Sequence, residues 1–159
     1  MTHGKQCLII GNQNAFTYAE IFELIKHNRL WTGYNMVKEF NQPDGSIKKF
    51  GNVCWFTNMK TSKRNEELVL TKTYNPIDYP TYENYNAIEV GKVVNIPKDY
   101  DGVMGVPITF IDKYNPNQFE ILGCSKSYGR PKEWDTNINM IPAVNGKEKY
   151  MRILIRRKN

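Results

Sequence analysis

Residues 7–34 read CLIIGNQNAFTYAEIFELIKHNRLWTGY, and this stretch decides the fold class. Four consecutive apolar residues, Cys7, Leu8, Ile9 and Ile10, end at Gly11. An uninterrupted run of this kind suits a strand buried on both faces, as found inside a parallel sheet. A helix is expected directly after it. Thr17 with Glu20 three residues on makes a capping box, and Tyr18, Ile21, Phe22 and Ile25 recur at helical spacing to form one apolar face. Lys26 and His27 fall in the last turn, where cations complement the helix dipole.

Working outward, residues 30–34, 37–40 and 51–58 read as strands, interrupted by the Pro43-Asp44-Gly45 turn and by the Lys48 and Lys49 pair. Beyond Lys60 the texture changes. KTSKRNEE is a charged boundary, residues 66–74 alternate loosely, and NPIDYPTYENYN packs prolines and tyrosines into an extended, irregular stretch. Residues 87–96, 105–111, 119–122 and 150–156 are further strand candidates. In DGVMGVPITFIDKYNPNQFEILG, residues 101–123, no helix start follows Gly102 and Gly105. The anion-cradling geometry of a glycine loop is therefore not offered, and the stretch reads as scaffold, a tight turn and a strand pair.

A chain of 159 residues fits one ordinary domain or two small ones. Its formal net charge of +6 suits a polyanion such as nucleic acid, although many plain soluble proteins share such a balance. Cys7, Cys54 and Cys124 are odd in number, widely spaced and set in apolar runs, so they read as reduced core thiols of an intracellular protein. With no CxxC pair and only His3 and His27 as histidines, neither a metal site nor a Cys-His nucleophile pair is expected. No apolar run approaches the roughly 20 residues of a membrane span, and MTHGKQ lacks the layout of a signal peptide. A soluble, cytoplasmic protein is expected.

Taken together, LIIGNQNAFTYAEIF, GNVCWFTN, the KR-x-EEL-x-L pattern at residues 63–70 and DGVMGVPITFIDKYNPNQFEILG resemble the carboxyl-terminal half of the EcoRI methylase family, adenine-specific DNA methyltransferases of restriction–modification systems. The resemblance runs from about Gln6 to Gly123 and fades beyond it. It implies methyl transfer from S-adenosylmethionine to the exocyclic amine of adenine in double-stranded DNA. It also implies an α/β fold: residues 1–60 as part of a Rossmann-like methyltransferase sheet, and residues 61–159 as a strand-rich, loop-rich target-recognition region. Such enzymes share a glycine-rich cofactor loop and an Asn-Pro-Pro-aromatic tetrapeptide, and neither is in this sequence; Tyr74-Asn75-Pro76 and Tyr114-Asn115-Pro116 lack the second proline. The chain therefore reads as a fragment, a split-gene product or a remnant, inactive alone and binding no cofactor tightly by itself. A DNA-binding module without chemistry and a structural remnant are the competing readings.

Several residues are singled out as candidates. Asn12, Gln13 and Asn14 follow the first strand at its carboxyl end, where open α/β sheets place ligands, so Asn12 and Asn14 are candidates for a cofactor or adenine pocket, or simply for a turn and a cap. Trp55 and Phe56 are adjacent on a strand and point to opposite faces; one of them is a candidate to stack on an everted base, with core packing as the alternative. Lys60, Ser62, Lys63 and Arg64 form a loop of phosphate-type donors, and Lys126, Arg130 and Lys132 form a similar segment. Asn115 and Asn117 are of the type that reads a base edge. The tail cations Arg152, Arg156, Arg157 and Lys158 read as solubilising charge. The run of Leu8, Ile9 and Ile10 lacks its parallel neighbour, and such an edge invites self-association or a partner polypeptide carrying the catalytic half.

Overall fold

The computed structural model of the chain describes residues 4–125 and 141–158. The fold is mixed α and β, mostly strands, with one α-helix of two turns among the described residues. The chain divides into two compact units, Met1–Arg64 and Asn65–Asn159.

The first unit holds strand β1 (Leu8–Asn12), helix α1 (Ala19–Lys26) and strands β2 (Trp31–Asn41) and β3 (Ile47–Thr57), in the sheet order β1-β3-β2. Both neighbours of β3 are antiparallel to it. β1 is therefore an edge strand, and Leu8, Ile9 and Ile10 are 54%, 50% and 42% exposed. The expectation of a strand buried on both faces is corrected: an apolar run has the same appearance whether neighbours cover it or not, and here only one neighbour is present among the described residues. Phe16, from the 3-10 helix Gln13–Thr17, meets Phe56 edge to face at 5.2 Å, and α1 buries Phe22 and Ile25. Each such side chain contributes about 1.5–3 kcal/mol by leaving water. The capping box does not form. Tyr18 is the N-cap and is exposed, while the Thr17 hydroxyl donates back to the Asn14 carbonyl.

β2 and β3 form one long hairpin. Its turn is the one expected at Pro43-Asp44-Gly45: Gly45 takes a φ of 83°, and the Asp44 carboxylate accepts from both the amide and the hydroxyl of Ser46. Those bonds hold the Asp44 carboxyl below its usual pKa. Lys48 and Lys49 lie inside β3 rather than interrupting it, because lysines on an exposed ribbon keep their charge in water; Lys48 sits over the Phe50 ring. The strands expected at 30–34 and 37–40 likewise merge into one continuous β2 that starts at Trp31, irregular between Thr32 and Met36.

The second unit has strands β4 (Ile88–Glu89), β5 (Met104–Pro107), β6 (Phe119–Cys124), β7 (Ala143–Val144), β8 (Lys147–Glu148) and β9 (Arg152–Arg157). Four of them form a sheet in the order β4-β5-β9-β6, with β4 and β5 parallel and the other pairs antiparallel. β7 and β8 form a small hairpin whose Asn145-Gly146 turn has positive φ at both residues, the type I′ signature. Phe110, Phe119, Ile121, Ile153, Leu154 and Ile155 are essentially water-free, and Phe110 meets Phe119 edge to face at 5.3 Å. The strand expected over residues 87–96 shrinks to β4, after which Val93–Asn95 turns as a 3-10 helix. The one expected over 105–111 ends at Pro107, followed by the 3-10 helix Ile108–Lys113. In both places the buried apolar residues, Ile96 in the first and Phe110 and Ile111 in the second, lie outside any strand, so hydrophobicity alone overstated the pairing.

Glycines 102 and 105 are where tyrosines pass close. A Cβ at Gly105 would overlap the Tyr82 hydroxyl, and one at Gly102 would lie 2.6 Å from the Tyr100 ring. That tyrosine at 82 is part of a buried cluster. Its hydroxyl donates to Glu89 Oε2 and to the Gly105 carbonyl, while Arg152 donates from Nε at 3.1 and 3.0 Å and from Nη2 at 2.6 Å to the Glu89 carboxylate. Burial opposes charge on Arg152, but the hydrogen bonds and field of Glu89 outweigh it and its pKa is raised.

Three outcomes follow from this cluster. Arg152→Leu alone strands a buried carboxylate and is expected to cost about 3–5 kcal/mol in urea unfolding, with Glu89→Leu/Arg152→Leu together costing less than that single change. Gly105→Ala is expected to cost about 1–3 kcal/mol by overpacking against Tyr82. Burial, followed by Glu89, raises the pKa of Tyr82 above the ordinary tyrosine value. The folded state therefore keeps a proton that the unfolded chain releases, so this contribution to stability is intact below about pH 10 and declines above it. Tyr82→Phe should flatten that alkaline decline in melts recorded across pH.

Candidate functional site

In the first unit the antiparallel register places the candidate residues at two ends of β1. Asn12 pairs with Val53 at one end and Leu8 with Thr57 at the other, about 14 Å of strand apart. At the first end, Asn12 Oδ1 accepts from the Asn14 amide at 2.8 Å and from Asn52 Nδ2 at 3.4 Å, so it caps the 3-10 helix; Asn14 is exposed. Phe56 lies in the core, and Trp55, opposite Ile10, points to the other face and is half-buried over Gly33. A Cβ at Gly33 would lie 2.6 Å from Trp55 Cβ, so glycine there lets the indole seat. These residues do not fit a complete S-adenosylmethionine site: Phe56 is core, and the acceptor of Asn12 is committed to a cap.

At the other end, Asn58 ties the chain start to the loop after β3, accepting from the Cys7 amide and donating to the Lys5 carbonyl. The loop then folds back on β2. The Arg64 guanidinium lies 4.0 Å over the Trp31 ring, Trp31 Nε1 donates to the Met59 carbonyl at 2.8 Å, and Lys63 Nζ donates to the Tyr34 carbonyl at 3.3 Å. Lys63 and Arg64 thus hold the loop, while Lys60 and Ser62 are exposed. Charge is uneven between the units. Residues 1–64 carry nine Lys and Arg against four Asp and Glu, whereas residues 65–159 carry thirteen against twelve.

In the second unit, Asn115 is buried and its amide holds a turn: Oδ1 accepts from the Asn117 amide at 2.9 Å, and Nδ2 donates to the Glu66 carbonyl at 3.4 Å. Asn117 is exposed at that turn. The side chain of Gln118 clamps the backbone of Leu68 from both sides, accepting from its amide and donating to its carbonyl. Lys126, Arg130 and Lys132 lie outside the described residues. Arg152, read from the sequence as solubilising, is the partner of Glu89.

The feature that sequence reasoning missed is a polar cavity of about 260 Å³ lined by Lys72, Asp78, Tyr79, Glu89, Gly91 and Asn95. Asn75 holds Asp78 by an Asx turn, its Oδ1 accepting from the amides of Ile77 and Asp78 while its Nδ2 donates to Asp78 Oδ2 at 2.8 Å. The Tyr79 hydroxyl donates to the Asn95 carbonyl at 2.8 Å, and burial, reinforced by Asp78 and Asp99, raises its pKa, so it stays neutral. Tyr74 lies between Tyr79 and Tyr100, at 5.9 and 4.6 Å. A legible signal existed: Glu89 sits alone in the apolar run AIEV, and a buried carboxylate demands a partner.

Among the described residues no helix is long and apolar enough to cross a membrane. A family model described as adenine-specific methyltransferase EcoRI matches residues 1–158. The type II methyltransferase M.EcoRI of Escherichia coli is 40% identical over 176 residues, covering 98% of this chain and 51% of that protein. The type II methyltransferases M.MgeORF184P of Mycoplasma genitalium and M.MpnI of Mycoplasma pneumoniae are 34% and 33% identical over 184 residues, each covering 98% of this chain and 58% of its own counterpart. The chain thus spans about half the length of the curated relatives it matches. No solved structure matches it. With the family model and three relatives agreeing over nearly all of its length, the chain belongs to the EcoRI adenine-specific methyltransferase family.

Proposed function

We propose that this chain is the carboxyl-terminal portion of an adenine-specific DNA methyltransferase of a restriction–modification system, inactive alone and completed by a polypeptide that binds S-adenosylmethionine. The observation that carries the reading is the family match across residues 1–158, with relatives whose names are those of type II methyltransferases. In this reading Met1–Arg64 is the end of the methyltransferase sheet and Asn65–Asn159 recognises double-stranded DNA.

The edge of β1 supports the need for completion. Leu8, Ile9 and Ile10 are exposed on both faces of a strand with one free hydrogen-bonding edge among the described residues, a template for strand addition. The proposed occupant is a strand of the cofactor-binding polypeptide, with a second copy of the chain as the competing one. Ile9→Lys should abolish association with either while leaving the melting temperature of the isolated chain unchanged. A monomer by light scattering at tens of micromolar, with no complex formed on mixing with a cofactor-binding half, would refute the edge proposal.

For DNA, the cations of the first unit supply the field. Fluorescence anisotropy against labelled duplex is expected to weaken with salt at a log–log slope of roughly −3 to −5, equivalent to about three to five neutralised phosphates. Methyl transfer from labelled S-adenosylmethionine to that duplex is expected only when the complementing half is added. Binding with no labelling after complementation would leave a DNA-binding module without chemistry, and no binding at low salt would overturn the reading.

A further inference from the structure

We infer that the cavity of Lys72, Asp78, Tyr79, Glu89 and Asn95 is a binding site for a single unstacked nucleobase, with guanine as its preferred occupant. The inference deepens the reading of Asn65–Asn159 as a DNA-recognition unit and rests on it. The cavity is about 260 Å³, below the roughly 300–1,000 Å³ of drug-sized sites, so it suits one heterocycle rather than a whole nucleotide.

Its charges are balanced in pairs. Glu89 is neutralised by Arg152, and Lys72 offsets Asp78. A phosphate would face two carboxylates, and a cation would face the ammonium, so the complementary ligand is neutral and rich in hydrogen-bonding groups. A donor comes from the Lys72 ammonium and an acceptor from the Asp78 carboxylate, the Glu89 oxygens being taken by Arg152 and Tyr82. Tyr79, kept neutral by burial and by the nearby Asp78 and Asp99 carboxylates and anchored by its bond to the Asn95 carbonyl, lines the cavity.

Guanine follows from the shape of a carboxylate. Its two parallel oxygens take two neighbouring donors, and guanine alone among the four bases presents two side by side, N1–H and the exocyclic amine, next to an O6 that accepts from a lysine. Asp78 is fixed for such a contact by the Asx turn at Asn75, whose Nδ2 donates to Oδ2, and among the described residues no hydrogen bond reaches Oδ1. Thymine has no amine to offer, and adenine and cytosine have one each.

The test uses the full chain, labelled with nitrogen-15 and titrated separately with deoxyguanosine, deoxyadenosine, deoxycytidine and thymidine. Deoxyguanosine is expected to shift the amides of Asp78, Gly91 and Asn95 and to bind about tenfold more tightly than thymidine, the ratio that one two-point base contact supplies. Asp78→Asn and Lys72→Met, both at exposed positions, should abolish the preference without changing the melting temperature. Equal response to all four nucleosides, shifts elsewhere, no shifts, or a preference surviving in Asp78→Asn would overturn the proposal. The salt-dependent DNA titration is scored apart: nucleoside preference without duplex binding keeps the site and sinks the DNA reading, and duplex binding without nucleoside shifts does the reverse.

Discussion

The second unit is organised around one buried carboxylate. Glu89 lies on a two-residue strand at the edge of a four-stranded sheet, a position that backbone pairing holds weakly. What secures it is Arg152 at the start of β9, sixty-three residues later, together with the Tyr82 hydroxyl. Removing a charge from water costs several kcal/mol, and only a well-aligned partner repays that. The alignment in turn fixes the approach of Tyr82 to Gly105, and so the register between the tyrosine-rich segment and β5. The polar cavity is a by-product of that arrangement, since Glu89 forms one of its walls.

The first unit obeys a different constraint, the geometry of an edge. A hairpin of two eleven-residue strands takes up the antiparallel side of β1 and leaves the other side open among the described residues. Most of the net positive charge sits on this unit, on the hairpin, on the loop after it and near α1. Apolar edge and cationic surface are thus carried by the same sixty-four residues, while the unit read as the recognition region is almost neutral overall.

What the sequence disclosed depended on whether a signal was local. The Pro43-Asp44-Gly45 turn was legible because a positive φ and an Asx bond are properties of adjacent residues, and the helix was legible because Phe22 and Ile25 recur at its period. The status of Leu8, Ile9 and Ile10 was not, since an apolar run does not state how many neighbours it has. The shortening of the strands expected at 87–96 and 105–111 has the same cause: Ile96, Phe110 and Ile111 are buried by packing and not by pairing. Among the candidate residues, Asn12 and Asn115 proved to be spent on local caps, the usual fate of asparagine at a turn, and Arg152 was hidden because its partner lies far away in sequence. Family membership was the most legible property of all, because it is carried by several separated segments at once.

The three reduced cysteines give the molecule a built-in chronometer. Cys54 on β3 and Cys124 on β6 are each fully shielded from water, one in each unit, while Cys7 is only partly covered. A thiol reacts as its exposed thiolate, so a shielded one is modified only when its surroundings open. Alkylation therefore proceeds on three clocks, a fast one at the chain start and a separate slow one for the opening of each unit, and their relative rates tell whether the two halves breathe together or apart.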